Sequence, residues 1–352
     1  MKKFALALAA LAVLAALLGI NWYQDNRLPN ITGNTSFYVY PGDTPEMVLK
    51  TLDEKGVVKD IDRLSKVFGT KKVAEYITPG YYYVNKGNTS VYVARMLNNG
   101  WQSPVNLTFS GTMRRPSDVA RRIGNQMLAD SLSVLECMQD KAFLDSLGYT
   151  PSDVLSLIIP DTYQVYWTAT PREILRRMKT VNDEFWTEER LAKAAALGLS
   201  RKKVATLASI VTAESAYAPE MPHIAGVYLN RLKVGMLLQA DPTVAFCFNY
   251  EPERILNKHL EVDSPYNTYK YAGLPPGPIC VPSKESLEAV LDPVYGGNAK
   301  TAGAPGCDYY FCANPDFSGT HVFASSLSQH NANARAFQEE LTRRHRAKLQ
   351  KK

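Results

Sequence analysis

Hydrophobic and polar positions divide this chain into stretches of different period. Residues 4–20 form an unbroken apolar run, preceded by Lys2 and Lys3 and followed by Asn21, Trp22 and Tyr23. Its 17 residues stand at the short end of the roughly 17–25 that span a bilayer, whereas a cleaved signal peptide usually carries an apolar region of only about 7–15. The pattern predicts an uncleaved transmembrane anchor over 1–23. The positive-inside rule keeps the two lysines in the cytoplasm and sends everything after Trp22 outward. Ala-x-Ala patterns within the run leave cleavage as the alternative. Residues 24–36 are polar and rich in turn formers, and read as a linker.

The period then becomes that of strands and short helices. Phe37-Tyr38-Val39-Tyr40 alternates like a strand, Pro41-Gly42-Asp43 is a turn, and Thr44 caps a helix with Met47, Val48 and Leu52 at helical spacing. The theme returns at Gly80-Tyr81-Tyr82-Tyr83-Val84, a turn at 85–88, and a helix opened by Thr89-Ser90 and carrying Val91, Val93, Ala94 and Leu97. These units predict a small α+β module over 37–104. It offers no cluster of carboxylates, histidines or nucleophiles, so binding or positioning is its expected role.

A connecting, mostly helical region is predicted over 105–150. A turn at Pro160-Asp161-Thr162-Tyr163 marks entry to a larger α+β domain over 151–345. Its first helix is predicted over 171–190, with Ile174, Leu175, Met178, Val181 and Phe185 on one face; a second starts after its cap Ser200. That second helix has apolar residues at 204, 207, 208 and 211, and Glu214 continues the stripe. A carboxylate on a buried stripe is costly unless it is paired or protonated, and burial raises its pKa into the range of a general acid at neutral pH. The alternative is that the helix ends there and the side chain reaches water or bonds Ser215.

Composition narrows the class. The 45% hydrophobic and 21% charged residues of this 352-residue chain are those of globular protein. Part of the net charge of +6 sits in a basic tail, 346–352, and the arginines just before it. This run is a solvated helix end or a site for an acidic polymer or anionic membrane; no nucleic-acid partner is implied. Five cysteines are an odd number for a compartment that permits disulfides, and Cys307 and Cys312 are either a local bridge or two small hydrophobes. No ligand spacing suggests a metal, and no cofactor is implied.

Loops after Glu214 are rich in hydroxyl, amide and aromatic groups, the chemistry that bonds and stacks on sugars, although each is also ordinary turn chemistry. Taken in order, Leu207-Ala208-Ser209-Ile210-Val211-x-x-Glu214, Val227-Tyr228-Leu229-Asn230-Arg231-Leu232, Gly235-Met236-x-Leu238-Gln239-x-Asp241-Pro242-Thr243-Val244, Tyr266-Asn267-Thr268-Tyr269, Gly273-Leu274-Pro275-Pro276-x-Pro278-Ile279, His321-x-Phe323 and Ser328-x-His330-Asn331 resemble the endolytic murein transglycosylase family, the YceG-like proteins. The resemblance is strong over about 150–340. Upstream, Pro41-Gly42-Asp43 and Pro79-Gly80-Tyr81 weakly resemble the family's LysM-like domain, Phe109-Ser110-Gly111-Thr112 replaces an expected acidic-Gly segment, and the cysteines lie outside the family pattern.

The resemblance implies non-hydrolytic cleavage of the MurNAc–GlcNAc β-1,4 bond within peptidoglycan strands, on the periplasmic side of the inner membrane, leaving a 1,6-anhydro-MurNAc end. Glu214 aligns with the catalytic glutamate, first acid and then base. Gln239, Tyr266, Asn267 and Thr268 align with a sugar-binding wall, and Asn230 falls in a matched motif. Arg231 either pairs with a substrate carboxylate or makes an internal ion pair. Asp241 is either a substrate-positioning residue or an Asx turn, and His321 and His330 are either functional or ordinary core and loop histidines. Peptidoglycan synthases are partners by family behaviour only. The rivals are a muramidase that adds water and a glycan-binding scaffold in which Glu214 is structural.

Overall fold

The computed structural model describes residues 2–252, 254–294 and 307–349. The chain is a mixed α+β protein with an N-terminal apolar helix, α1 (Lys2–Arg27). Over Leu6–Arg27 this helix is long and apolar enough to cross a membrane, and none of that window is buried. It outruns the predicted 1–23, with Asn26 Nδ2 donating to the Trp22 carbonyl at 2.9 Å. The chain divides into two compact units: residues 1–107 with 126–128 and 163–169, and the remainder.

The first unit follows α1 with β1 (Thr35–Val39), α2 (Pro45–Glu54), α3 (Ile61–Thr70), α4 (Val73–Tyr76), β2 (Gly80–Val84) and α5 (Ser90–Asn98). Strand β3 (Pro104–Thr108) pairs with β4 (Thr162–Tyr166). β1 and β2 are antiparallel with Phe37 opposite Tyr82, so Phe37, Val39, Tyr82 and Val84 point together onto Val48, Leu52, Leu64, Phe68 and Leu97. Pro45, Val48 and Leu52 form the buried stripe of α2, and Met47, one position off it, is exposed. The polar stretch read as a linker is knitted into this unit. Asn30 is fully buried, donating to Asp60 O at 2.8 Å and to Ser90 Oγ at 2.9 Å, and Ile31 joins the core. Its asparagine satisfies backbone that would otherwise be buried unpaired.

The second unit contains α6 (Pro116–Gly124), α7 (Ser131–Cys137), α8 (Lys141–Ser146), α9 (Pro171–Phe185), α10 (Glu188–Ala196), α11 (Arg201–Glu214), α12 (Met221–Lys233), α13 (Asp241–Cys247), α14 (Lys284–Leu291), the hairpin β5 (Tyr310–Ala313) and β6 (His321–Ala324), and α15 (Leu327–Leu349). Three predicted elements change. The turn at 160–163 gives way to β4 from Thr162 onward. The helix read over 171–190 stops at Phe185, because Thr187 caps a new helix with Glu188 and Glu189 in its first turn. Of the residues read as loop after Glu214, Asp241-Pro242-Thr243 instead open α13, with Pro242 in its first turn where a missing N–H costs nothing.

Helices α11, α12 and α14 form the core around Leu207, Ala208, Val211, Ile224, Tyr228, Leu287 and Val290. From Val204 to Val211 the whole circumference of α11 is buried. Its hydroxyls are therefore all engaged: Ser209 Oγ donates to Thr206 O and accepts from Ile279 N at 3.0 Å, pinning the proline-rich loop to the helix. Within that loop Gly277 has no room for a side chain, since a Cβ would lie 1.9 Å from the Ser152 carbonyl oxygen. No disulfide joins Cys137, Cys247, Cys280, Cys307 and Cys312, and residues 350–352 of the basic tail lie outside the described residues.

Gly277→Ala is expected to force the proline-rich loop off Ser152. Overpacking of this kind costs about 1–3 kcal/mol, which in a domain of this size lowers the melting midpoint by several degrees in differential scanning calorimetry.

Candidate active site

Helix α11 ends at Glu214 because Ser215 turns to an extended conformation (φ −142°), its N–H still bonded to the Val211 carbonyl. The Glu214 side chain neither bonds Ser215 nor swings away into solvent. Tyr228, one helix later and itself 2% exposed, donates its hydroxyl to Glu214 Oε1 at 2.7 Å. Protein crowds the carboxyl closely although it keeps an opening to solvent, and this desolvation pushes its pKa up to about 7. The Tyr228 hydrogen bond and the neighbouring His321 and Arg231 oppose the rise, while Asp241 adds to it. Burial and the neighbouring carboxylate hold the Tyr228 phenol well above its usual range, so it remains a donor.

Glu214 and Asp241 stand where two cavities meet. One, of about 440 Å³, is walled by Tyr228, Arg231, Gln239, Tyr269, Tyr310 and His330. The other, of about 710 Å³, is lined by Thr212, Pro242, Tyr250, Arg114 and Arg254. A separate cavity of about 640 Å³ by Leu199, Leu232 and Pro275 contains neither Glu214 nor Asp241.

Six of the candidate residues converge here: Glu214, Arg231, Gln239, Asp241, His321 and His330. Arg231 is engaged by the backbone, and it makes no ion pair among the described residues. Nε donates to Tyr309 O at 2.6 Å and Nη1 to Leu238 O at 2.7 Å, so it clamps β5 to the loop before α13. Gln239 is exposed in a left-handed conformation (φ 49°), held by its N–H on the Thr268 carbonyl. Asp241 Oδ1 accepts from Tyr269 OH at 2.5 Å.

Four others line neither cavity. Thr268 is fully buried, accepting from Ala240 N at 3.0 Å and hydrogen-bonded to Thr243 Oγ1 at 2.8 Å. Asn267 is fully buried, donating to Leu260 O and Val262 O and accepting from Tyr269 N. Both therefore leave the predicted sugar wall: their groups shape the loops that carry Gln239, Asp241 and Tyr269. Tyr266 packs its ring 4.5 Å from Phe246, and Asn230 donates to Asp308 O from a buried position. His321 lines the first cavity, but its backbone N–H and Nδ1 each meet a Glu220 carboxylate oxygen at 2.7 Å, tying β6 to the start of α12. His330 stacks on Tyr310 and is kept neutral by burial and by Arg231. No group of His, Cys, Asp or Glu among the described residues has a metal-holding arrangement.

The model of the YceG-like family matches residues 37–336. The chain belongs to the YceG-like family. An endolytic murein transglycosylase of Bacillus subtilis is 27% identical to it over 308 residues, covering 82% of this chain and 81% of that protein. One from Streptococcus pneumoniae is 25% identical over 369 residues, 94% of this chain but 64% of that protein, so the chain spans less than two thirds of that relative. A crystal structure described as a yceG-like protein of Listeria monocytogenes aligns with TM-score 0.54 at 26% identity, covering 85% of this chain and 98% of that one.

In this YceG-like chain, sequence reasoning passed over Tyr228 and Tyr269, although both stand inside the matched motifs. The signal was present at Tyr228: a phenol on the inward stripe of α12 needs a partner once buried.

The raised Glu214 pKa makes a stability prediction. Between the unfolded value of about 4.3 and the folded value of about 7, the native state holds a proton that the unfolded state has released. Wild-type stability therefore falls as pH rises through this window. Glu214→Gln is expected to melt above wild type at pH 8 by about 1–2 kcal/mol, discounted for partial exposure, with the gap closing below about pH 4.5 in parallel melting curves.

Proposed function

We propose that this chain is a membrane-anchored lytic transglycosylase that cuts peptidoglycan glycan strands. The supporting observation is a single carboxyl poised near neutral pH at the junction of two cavities, hydrogen-bonded to a buried tyrosine. The named relatives support the same class of reaction.

In this reading a strand lies across both cavities with the MurNAc–GlcNAc β-1,4 bond at Glu214. The protonated acid gives its proton to the leaving glycosidic oxygen. The carboxylate, steadied by Tyr228, then takes the proton of the MurNAc C6 hydroxyl as that oxygen attacks the anomeric carbon, leaving a 1,6-anhydro end. One residue serves both steps because they are consecutive. Gln239 and the tyrosines hold sugar hydroxyls and faces; Asp241 positions through Tyr269. Helix α1 anchors the protein in the inner membrane with its bulk on the periplasmic side, residues 37–104 hold glycan as a LysM-like module, and residues 151–345 carry catalysis. Peptidoglycan synthases are its partners in strand synthesis.

The second reading is hydrolysis, because Asp241 lines both cavities with Glu214 and a glycosidase that adds water uses a second carboxylate at about 5–9.5 Å. Its engagement with Tyr269 favours the positioning role.

Mass spectrometry of purified peptidoglycan treated with the full-length protein in detergent tests both readings. Anhydro-ended fragments are expected from wild type, with Glu214→Gln slower by about 10²–10⁴-fold; fragments heavier by one water would establish hydrolysis, and unchanged activity in the variant would leave Glu214 structural. Tyr228→Phe removes the bond that favours the carboxylate, so Glu214 should hold its proton to higher pH. The falling alkaline limb of kcat/KM, near pH 7 in wild type, is expected to move upward, with about a tenfold loss of rate.

A further inference from the structure

We infer that the larger cavity beside Glu214 receives the acidic peptide stem of the glycan through Arg114 and Arg254, so that the substrate is the peptide-bearing strand and not the bare polysaccharide. This rests on the lytic reading above.

In a peptide-bearing strand the lactyl carboxyl of each muramic residue is taken up in an amide bond, so the sugars themselves are neutral and a wall built for them alone needs no cation. The peptide attached to the lactyl group of each muramic residue carries carboxylates. A stem entering beside the scissile bond passes the Asp241 carboxylate, which lines this cavity and would repel a like charge. Two arginines line the same cavity and are exposed. Among the described residues neither forms an ion pair: the nearby Asp118 carboxylate faces Arg115 and Arg121 and accepts the backbone N–H groups of Arg114 and Arg115 at 3.0 Å. The Arg114 guanidinium lies over the Tyr250 ring, 4.5 Å from its centroid, and Tyr250 is fixed in turn by its hydroxyl on the Ile279 carbonyl at 2.6 Å. Stacking on a pinned ring orders the guanidinium before an anion arrives, which lowers the entropy lost on binding and leaves its N–H fork for a carboxylate. The smaller cavity offers no such group, since the Nε and Nη1 of its arginine are engaged by backbone carbonyls.

The test is a rate comparison with full-length protein in detergent, on sacculus strands bearing peptides and on the same strands stripped of them by an amidase, with the lactyl carboxyls that the amidase exposes converted to methylamides. Wild type is expected to cut peptide-bearing strands at least about tenfold faster, equivalent to about 1.4 kcal/mol. In Arg114→Gln/Arg254→Gln the ratio should fall toward one, chiefly through KM, while Arg114→Lys/Arg254→Lys, which keeps the charge but loses the planar fork, retains an intermediate preference. Equal wild-type rates on the two substrates, or a glutamine double variant that keeps the full ratio, would overturn the inference and leave the lytic reading standing. Absence of cleavage products from wild type on either substrate would defeat the lytic reading itself, and the inference with it.

Discussion

A carboxyl group at the end of a helix buried all round is the constraint from which the rest of this architecture follows. Left unpaired in apolar surroundings, Glu214 would cost several kcal/mol as an anion. The Tyr228 hydroxyl reduces that cost without cancelling it, so the group settles near neutrality and can both give and take a proton. A lysine or arginine in the place of Tyr228 would favour the ionised form more strongly, and an apolar residue would let burial raise the pKa further. The packing of α11 against α12 therefore sets the proton affinity as well as the position of this residue.

Polar groups around the site act mostly at one remove. Thr268 and Thr243 share a buried hydrogen bond that shapes the backbone under Gln239 and Asp241, and Asn267 holds the turn that presents Tyr269. Arg231 fastens β5, Glu220 fastens β6, and Ser209 fastens the proline-rich loop. Each such bond is worth only about 1 kcal/mol net, but a buried polar group that loses its partner costs more, so the loops around the carboxyl are held in one arrangement. Rigid placement of this kind is what general acid catalysis requires, since the proton must be transferred over hydrogen-bond distance.

The same chemistry explains where reading from residues misplaced function. Asparagine and threonine in a Tyr-Asn-Thr-Tyr loop have the groups that bind sugars, and they also have the groups that satisfy buried backbone. Which use prevails depends on whether the side chain faces the cavity or the chain. Met47 and the polar stretch before β1 miscarried for a similar reason: spacing gives a face to within about one residue, and polar composition does not distinguish a loose linker from a stretch whose asparagine completes a buried network.

By itself the sequence determined that an apolar helix precedes an α+β protein, that a helix opens behind Ser200, and that Glu214 continues the apolar stripe of that helix, because these depend on local periodicity and capping. The ordered motifs placed the chain near its family for the same reason, being short and contiguous. Only the tertiary structure decided that Tyr228 is the partner of Glu214, that Arg231 turns to backbone carbonyls, and that Arg114, a hundred positions from the acid in sequence, lines the cavity beside it. Those relations join residues distant along the chain, and the packing of helices and loops that brings them together is not written in the spacing of either partner.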